Sequence, residues 1–187
     1  MKEIVLASAS PRRRELLEML GLTVIVRPSG AEENIGSLTD PQEIVTALAE
    51  QKARSVPRKP EELILAADTV VAIDRRILGK PKDEADAFRM LSLLSGREHS
   101  VFTGFCLLRG EESILGAEET KVFFRSLSPA VIQRYLATGE PFDKAGAYGI
   151  QGKGCCLAEG IQGDFYNVVG LPVSRIMAEL RRWGEEL

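Results

Sequence analysis

The stretch Leu63-Ile64-Leu65-Ala66-Ala67-Asp68-Thr69-Val70-Val71-Ala72-Ile73 is apolar at nearly every position and is bounded by turn signals. A run of this length and composition reads as a strand buried on both faces, at the centre of a sheet packed by helices. Asp68 interrupts it. A carboxylate in such a strand loses hydration, at a cost of several kcal/mol unless a cation or hydrogen-bond donors compensate. A group held that way serves as a metal ligand or a general base. The structural alternative is a strand-end aspartate that caps a neighbouring element.

Working outward, strand and helix signals alternate. Ile4-Val5-Leu6-Ala7 reads as a short buried strand, and Ser10 reads as an N-cap followed by a first-turn proline, Pro11, for a helix with Leu16, Leu17 and Leu20 on one stripe and a stop at Gly21. Thr23 to Arg27 reads as a second strand. After a polar loop, Asp40-Pro41 starts a capped helix to about Arg54. The central strand folds back through Asp74-Arg75 into Arg76-Ile77-Leu78. Lys82-Asp83 opens a helix whose Ala87, Met90, Leu91 and Leu94 share a face, two β-rich stretches follow (Ser100 to Leu108 and Ser113 to Phe124), and Ser128-Pro129 caps a helix to Thr138. A glycine-spaced loop occupies Asp143 to Gly154, and a last helix begins at Pro172. This order predicts an α/β fold with a mixed sheet.

Two further features break local rules. A helix N-terminus favours acidic side chains, yet Ser8-Ala9-Ser10-Pro11 leads into Arg12-Arg13-Arg14, and Arg13 stands where a capping box would place Glu or Gln. Free N–H groups, serine hydroxyls and guanidinium forks after a strand make a receptor for a phosphate chain. The alternative is a solvated basic turn paired with Glu15 or Glu18. On the next helix, Lys52 continues the four-residue spacing of Ile44 and Leu48, so its stem falls on the buried face and its head reaches a cavity or an edge. Snorkelling at a helix end is the competing explanation. His99 reads as structural, since no GxSxG elbow accompanies it. Gln151, in the glycine-spaced loop, can present both donor and acceptor to a base edge. Cys155-Cys156 reads as a small buried pair.

Composition sets the limits. With 187 residues the chain is one compact domain or two lobes sharing a core. Its 44% hydrophobic and 27% charged residues exclude disorder, and its formal charge of −3 excludes a nucleic-acid binder that relies on overall basicity. No apolar run approaches the ~20 residues a membrane span needs, and the N-terminus does not read as a signal peptide. Three cysteines without CxxC spacing suggest neither a zinc site nor a disulfide framework. The expectation is a soluble cytoplasmic protein without nucleic-acid or membrane partners.

Six pieces in order resemble the Maf family: Ser8-x-Ser10-Pro11-Arg12-Arg13, Lys52-Ala53, Ala67-Asp68-Thr69-Val70, Gly79-Lys80-Pro81, Ser95-Gly96-x-x-His99-x-Val101-x-Thr103-Gly104, and Asp143-Lys144-Ala145-Gly146-Ala147-Tyr148-Gly149-Ile150-Gln151-Gly152. The resemblance implies one domain over residues 1–187, with the two-lobed α/β fold shared with inosine triphosphatases, a long bent mixed sheet flanked by helices and a central cleft. It implies a house-cleaning nucleoside triphosphate pyrophosphatase that releases a nucleoside monophosphate and pyrophosphate with a divalent cation (Mg²⁺ or Mn²⁺), and a homodimer. It makes Asp68 the base for water attack, with Lys52 and Lys80 as further catalytic residues. Ser8, Ser10, Arg12 and Arg13 would hold phosphates, and Glu33 (or its neighbour Glu32) would join Asp68 at the metal. Arg12, Thr69 and Gln151 in these contexts resemble the branch acting on dTTP and UTP. The alternatives are a non-enzymatic nucleotide sensor regulating septum formation and a pyrophosphatase for damaged purine nucleotides.

Overall fold

The computed structural model describes residues 3–185. It is a mixed α/β structure with a seven-stranded sheet flanked by helices. The strands are β1 (Glu3–Leu6), β2 (Thr23–Val26), β3 (Ile64–Ile73), β4 (Arg76–Leu78), β5 (Glu98–Arg109), β6 (Glu112–Phe124) and β7 (Ala158–Gln162). The helices are α1 (Pro11–Met19), α2 (Pro41–Ser55), α3 (Glu84–Leu94), α4 (Pro129–Leu136), α5 (Phe165–Val169) and α6 (Val173–Arg182). The sheet order is β2-β1-β3-β5-β6-β7, with β4 paired to β3 off that path. Strand β1 runs parallel to both β2 and β3, whereas β3–β4 and β6–β7 are antiparallel. The apolar stretch around Asp68 is therefore an interior strand, as its composition implies.

Two compact units divide the described chain. One comprises the residues up to Asp68, Thr103–Glu118 and the segment from Gly170 on; the other comprises Thr69–Phe102 and Glu119–Val169.

In the first unit, small side chains set the spacing between helix and sheet. Ala49 and Ala53 of α2 are fully buried in one cluster with Val5, Ala7, Ile64, Ala66 and Cys106. A stripe of alanines lets the helix lie close to the strands, and the closeness has a second marker at Gly104 of β5. A Cβ there would stand 2.4 Å from the carbonyl carbon and oxygen of Val45. Helix α2 starts where the sequence indicates, with Asp40 Oδ1 accepting from Gln42 N at 2.9 Å and Glu43 N at 3.1 Å. A cap of this kind is worth about 1 kcal/mol. Helix α1 departs from the cap expected at Ser10: that side chain makes no cap bond, and the first turn holds no acid.

In the second unit, α3 and α4 pack with Val71, Ile73, Val101, Val122, Phe124 and Tyr148. The β3–β4 reversal places Asp74 and Arg75 at φ 49° and 62°, the left-handed values that a tight hairpin turn demands. Arg97 holds that strained turn by donating from Nη2 to both Asp74 carboxylate oxygens, at 2.7 and 2.8 Å. His99, Phe124 and Tyr148 form an edge-to-face aromatic cluster with ring centroids 4.6–5.4 Å apart. His99 Nε2 and the Tyr148 hydroxyl are 2.8 Å apart. His99 is thus a buried structural residue, and burial lowers its pKa from 6.5 to about 4. The loop after α4 is built from 3-10 turns at Glu140–Asp143, Ala145–Ala147 and Gly152–Cys156. Cys155 and Cys156 are exposed, not the buried pair that their small apolar character suggests. Their turn lies outside the apolar cluster, whose member from this segment is Leu157. The buried thiol is Cys106, pushed up to about 12 by desolvation.

Candidate active site

The first unit gathers a cation and two carboxylates. Lys52 lies one turn beyond Leu48 on the α2 stripe, and Asp68 sits on β3, where the strand leaves its fully buried segment at Ala67. Their side chains are 16% and 14% exposed, so both are largely out of water. Lys52 Nζ donates to Asp68 Oδ1 and also pairs with Glu33 Oε1 at 2.8 Å. Glu33, on the polar loop before α2, is 58% exposed. The cost of desolvating Asp68 is offset by Lys52, and the cost of desolvating Lys52 by two acids. Snorkelling does not describe this lysine, because its head group turns toward the strand carboxylate.

The basic start of α1 stands beside this group. Arg13 donates from Nε to the Gly170 carbonyl at 2.8 Å, and from Nη1 to the Ala67 carbonyl at 2.8 Å and Ser8 Oγ at 3.1 Å. Ser8 Oγ also accepts from Ser10 N at 3.2 Å. The guanidinium therefore ties the helix start to the end of β1, to the residue before Asp68 and to the chain entering α6. Burial lowers the Arg13 pKa from its ordinary value; Asp68 opposes that, Arg12 adds to it, and Glu33 opposes it again. Arg12, Arg13, Asp68 and Glu33 thus share one electrostatic neighbourhood. Arg14 faces away, pairing with Glu18 at 2.7 Å, so the solvated-turn reading holds for this third arginine.

Within the second unit, Thr69 directly follows Asp68 in the chain and is half-buried. Lys80 is exposed on the turn after β4, and the neighbouring Gly79 carbonyl accepts from Gly146 N at 3.0 Å. Its turn is therefore tied to the root of the glycine-spaced loop. Gln151 is exposed and immediately precedes the turn Gly152–Cys156. Glu32 is exposed, and it is Glu33 that pairs with Lys52.

Among the described residues no group of three or more His, Cys, Asp or Glu side chains is placed to hold a metal ion. Glu33 and Asp68 nevertheless converge on one cationic point, marked by the Lys52 ammonium. Magnesium is commonly held by one or two carboxylates together with substrate phosphates, so this donor pair fits such an ion. The carbonyl clamp on Arg13 is not legible in the sequence, because its partner Gly170 lies 157 residues away. The one available signal was the arginine standing at the capping-box position.

The profile of the Maf-like protein family matches residues 3–183. The chain belongs to the Maf family. A Bacillus cytotoxicus protein named dTTP/UTP pyrophosphatase is 51% identical over 184 residues, covering 98% of this Maf chain and 96% of that relative. A Bacillus cereus protein of the same name is 48% identical over 184 residues, covering 98% and 91%. Among solved structures, the Staphylococcus aureus Ham1 protein superposes with a TM-score of 0.52 at 15% identity, over 97% of this chain and 99% of that one. That likeness shows a shared fold.

Proposed function

We propose that this Maf-family chain is a nucleoside triphosphate pyrophosphatase that hydrolyses dTTP and UTP to the monophosphate and pyrophosphate. The observation that carries the reading is the Lys52 ammonium held against Asp68 and Glu33 beside the arginine-bearing start of α1. The names of relatives about half identical over nearly the whole chain point to the same substrates.

Hydroxide-like attack on a triphosphate is opposed by its negative charge, so catalysis needs cations fixed where charge develops. Arg12, the N–H groups at the start of α1 and the hydroxyls of Ser8 and Ser10 bind phosphate oxygens in this reading. Arg13 holds that turn in shape through its carbonyl contacts and adds its charge. Asp68 receives the water's proton, its Oδ1 being engaged by Lys52. Lys52 holds the acid in place and neutralises the developing charge, and Lys80 does the same for the leaving pyrophosphate. A divalent cation held by Glu33 and Asp68 would supply Lewis-acid neutralisation of the phosphate oxygens. Thr69 and Gln151 meet the base, because an amide offers the donor and acceptor that thymine and uracil require. No covalent nucleophile is needed.

No helix among the described residues is long and apolar enough to cross a membrane. A homodimer in the cytoplasm is part of the same proposal, and sedimentation of the purified chain tests the dimer. The deciding experiment is a panel of dTTP, UTP, CTP, GTP and ITP at equal concentration with Mg²⁺ and with Mn²⁺. Preferential release of pyrophosphate from dTTP and UTP is expected; preferential hydrolysis of GTP or ITP would overturn the assignment.

A further inference from the structure

The segment Tyr148–Gly154 carries Gln151 at its middle and is pinned on both sides. On the near side, the Tyr148 ring is buried in the aromatic cluster and Gly149 N donates to the Tyr135 hydroxyl at 3.0 Å. On the far side, Glu140 takes both following amides, Lys153 N on Oε2 at 2.9 Å and Gly154 N on Oε1 at 3.1 Å. The two pins are joined, because the Tyr135 hydroxyl donates to Glu140 Oε1 at 2.9 Å. Lys144 Nζ closes the group on the Glu140 carbonyl at 2.6 Å. Three residues, Ile150 to Gly152, remain between the pins.

The fit leaves no room for slack. Gly152 has φ 63°, and a Cβ on it would stand 2.7 Å from Glu140 Oε2. A Cβ on Gly154 would meet the Gly149 carbonyl at 2.3 Å and the Tyr135 hydroxyl at 2.7 Å. Burial pushes the Glu140 pKa up, but the bonds from Lys153 N, the Tyr135 hydroxyl and Gly154 N, with the charge of Lys144, outweigh it and hold the acid below its ordinary value. A half-buried carboxylate accepting two main-chain amides and a phenol is a costly device for a solvent-facing loop. It makes sense where the residue between the pins must stand at a fixed point.

We propose that Glu140, acting through Tyr135 and the amides of Lys153 and Gly154, is a positioning residue that fixes Gln151 and so sets the preference for pyrimidine nucleotides. The proposal rests on the reading that Gln151 meets the base. Replacing the carboxylate by an amide turns an N–H₂ toward groups that are themselves donors, so the far pin opens while the side-chain volume stays the same.

The test is the ratio of kcat/KM for dTTP to that for GTP in the full-length protein. In Glu140→Gln this ratio is expected to fall roughly tenfold or more. The loss should appear as a higher KM for dTTP, with kcat within about threefold of the starting protein and faster amide exchange at Lys153 and Gly154. Gln151→Ala should lower the ratio similarly, and the double variant no further. If Gln151→Ala keeps the original preference, the Gln151 reading itself is overturned and the clamp falls with it. If Gln151→Ala loses the preference and Glu140→Gln keeps it, or loses kcat equally for all nucleotides, the clamp alone is overturned. Should Glu140→Gln not fold, Tyr135→Phe removes one hydroxyl from the same clamp and must lower the ratio in the same direction.

Discussion

Asp68→Asn separates a catalytic ion pair from a structural one. The substitution keeps the side-chain volume and a carbonyl that can accept from Lys52, and it removes one negative charge. Lys52 keeps its 2.8 Å partner Glu33, so the ammonium is not left buried and alone. The stability cost is therefore far below the 3–5 kcal/mol typical of breaking a buried pair; about 1–2 kcal/mol is expected, the lost charge component of one hydrogen bond. Loss of a general base is a larger effect on rate, ~10²–10⁴ in kcat, equivalent to about 2.7–5.4 kcal/mol of barrier. Steady-state pyrophosphate release from dTTP gives the rate, urea unfolding gives the stability, and nucleotide affinity is read by equilibrium binding. A large loss of kcat with affinity largely kept is expected. A variant that turns over at the original rate, and is merely less stable, would show that the Lys52–Asp68 pair holds the fold and does no chemistry.

Other consequences follow from the same contacts. Arg13→Lys replaces a fork by a single point that cannot reach Gly170, Ala67 and Ser8 together; losing two charge-assisted bonds should cost about 3 kcal/mol or more in urea unfolding, whereas Arg12→Ala should act mainly by raising KM. His99 takes up its proton near 6.5 when unfolded and near 4 when folded, so protons favour the unfolded chain and stability declines as pH falls through that window. The wild type should lose roughly 3 kcal/mol more than His99→Gln between pH 7 and 4 in urea titrations, and parallel curves would contradict the burial argument. A thiol reagent at pH 8 should modify Cys155 and Cys156 in the native protein and Cys106 only on unfolding, since the first two are exposed and the third is buried with its thiol pushed up to about 12.

Much of the fold is written in local patterns. The run around Asp68 reads as an interior strand, and Asp40 and Ser128 cap helices where their side-chain chemistry places them, whereas Ser10 opens α1 without a side-chain cap. Lys52 was legible because helical spacing projects it onto the face that Ile44 and Leu48 bury. Its partnership with Asp68 follows once α2 lies on the strands. Glu33 was legible only through the family resemblance, for adjacent acids in a polar loop carry no periodicity. Helix α5 has five residues, too few for a periodic signal. The Glu140 clamp was invisible for a related reason. Its members stand at 135, 140, 149, 153 and 154, and irregular backbone, not a repeating face, brings them together. Cys155 and Cys156 went the other way, since small apolar side chains favour burial on average and a 3-10 turn can still leave them outside.

Under the proposed function this chain splits a pyrimidine nucleoside triphosphate between its α- and β-phosphates. Incubating the protein with dTTP and Mg²⁺ and following the products by phosphorus NMR tests it directly. Pyrophosphate and dTMP should appear in equal amounts from the first turnover, with no inorganic phosphate before them. Release of inorganic phosphate with dTDP, or no turnover with either Mg²⁺ or Mn²⁺, would contradict it.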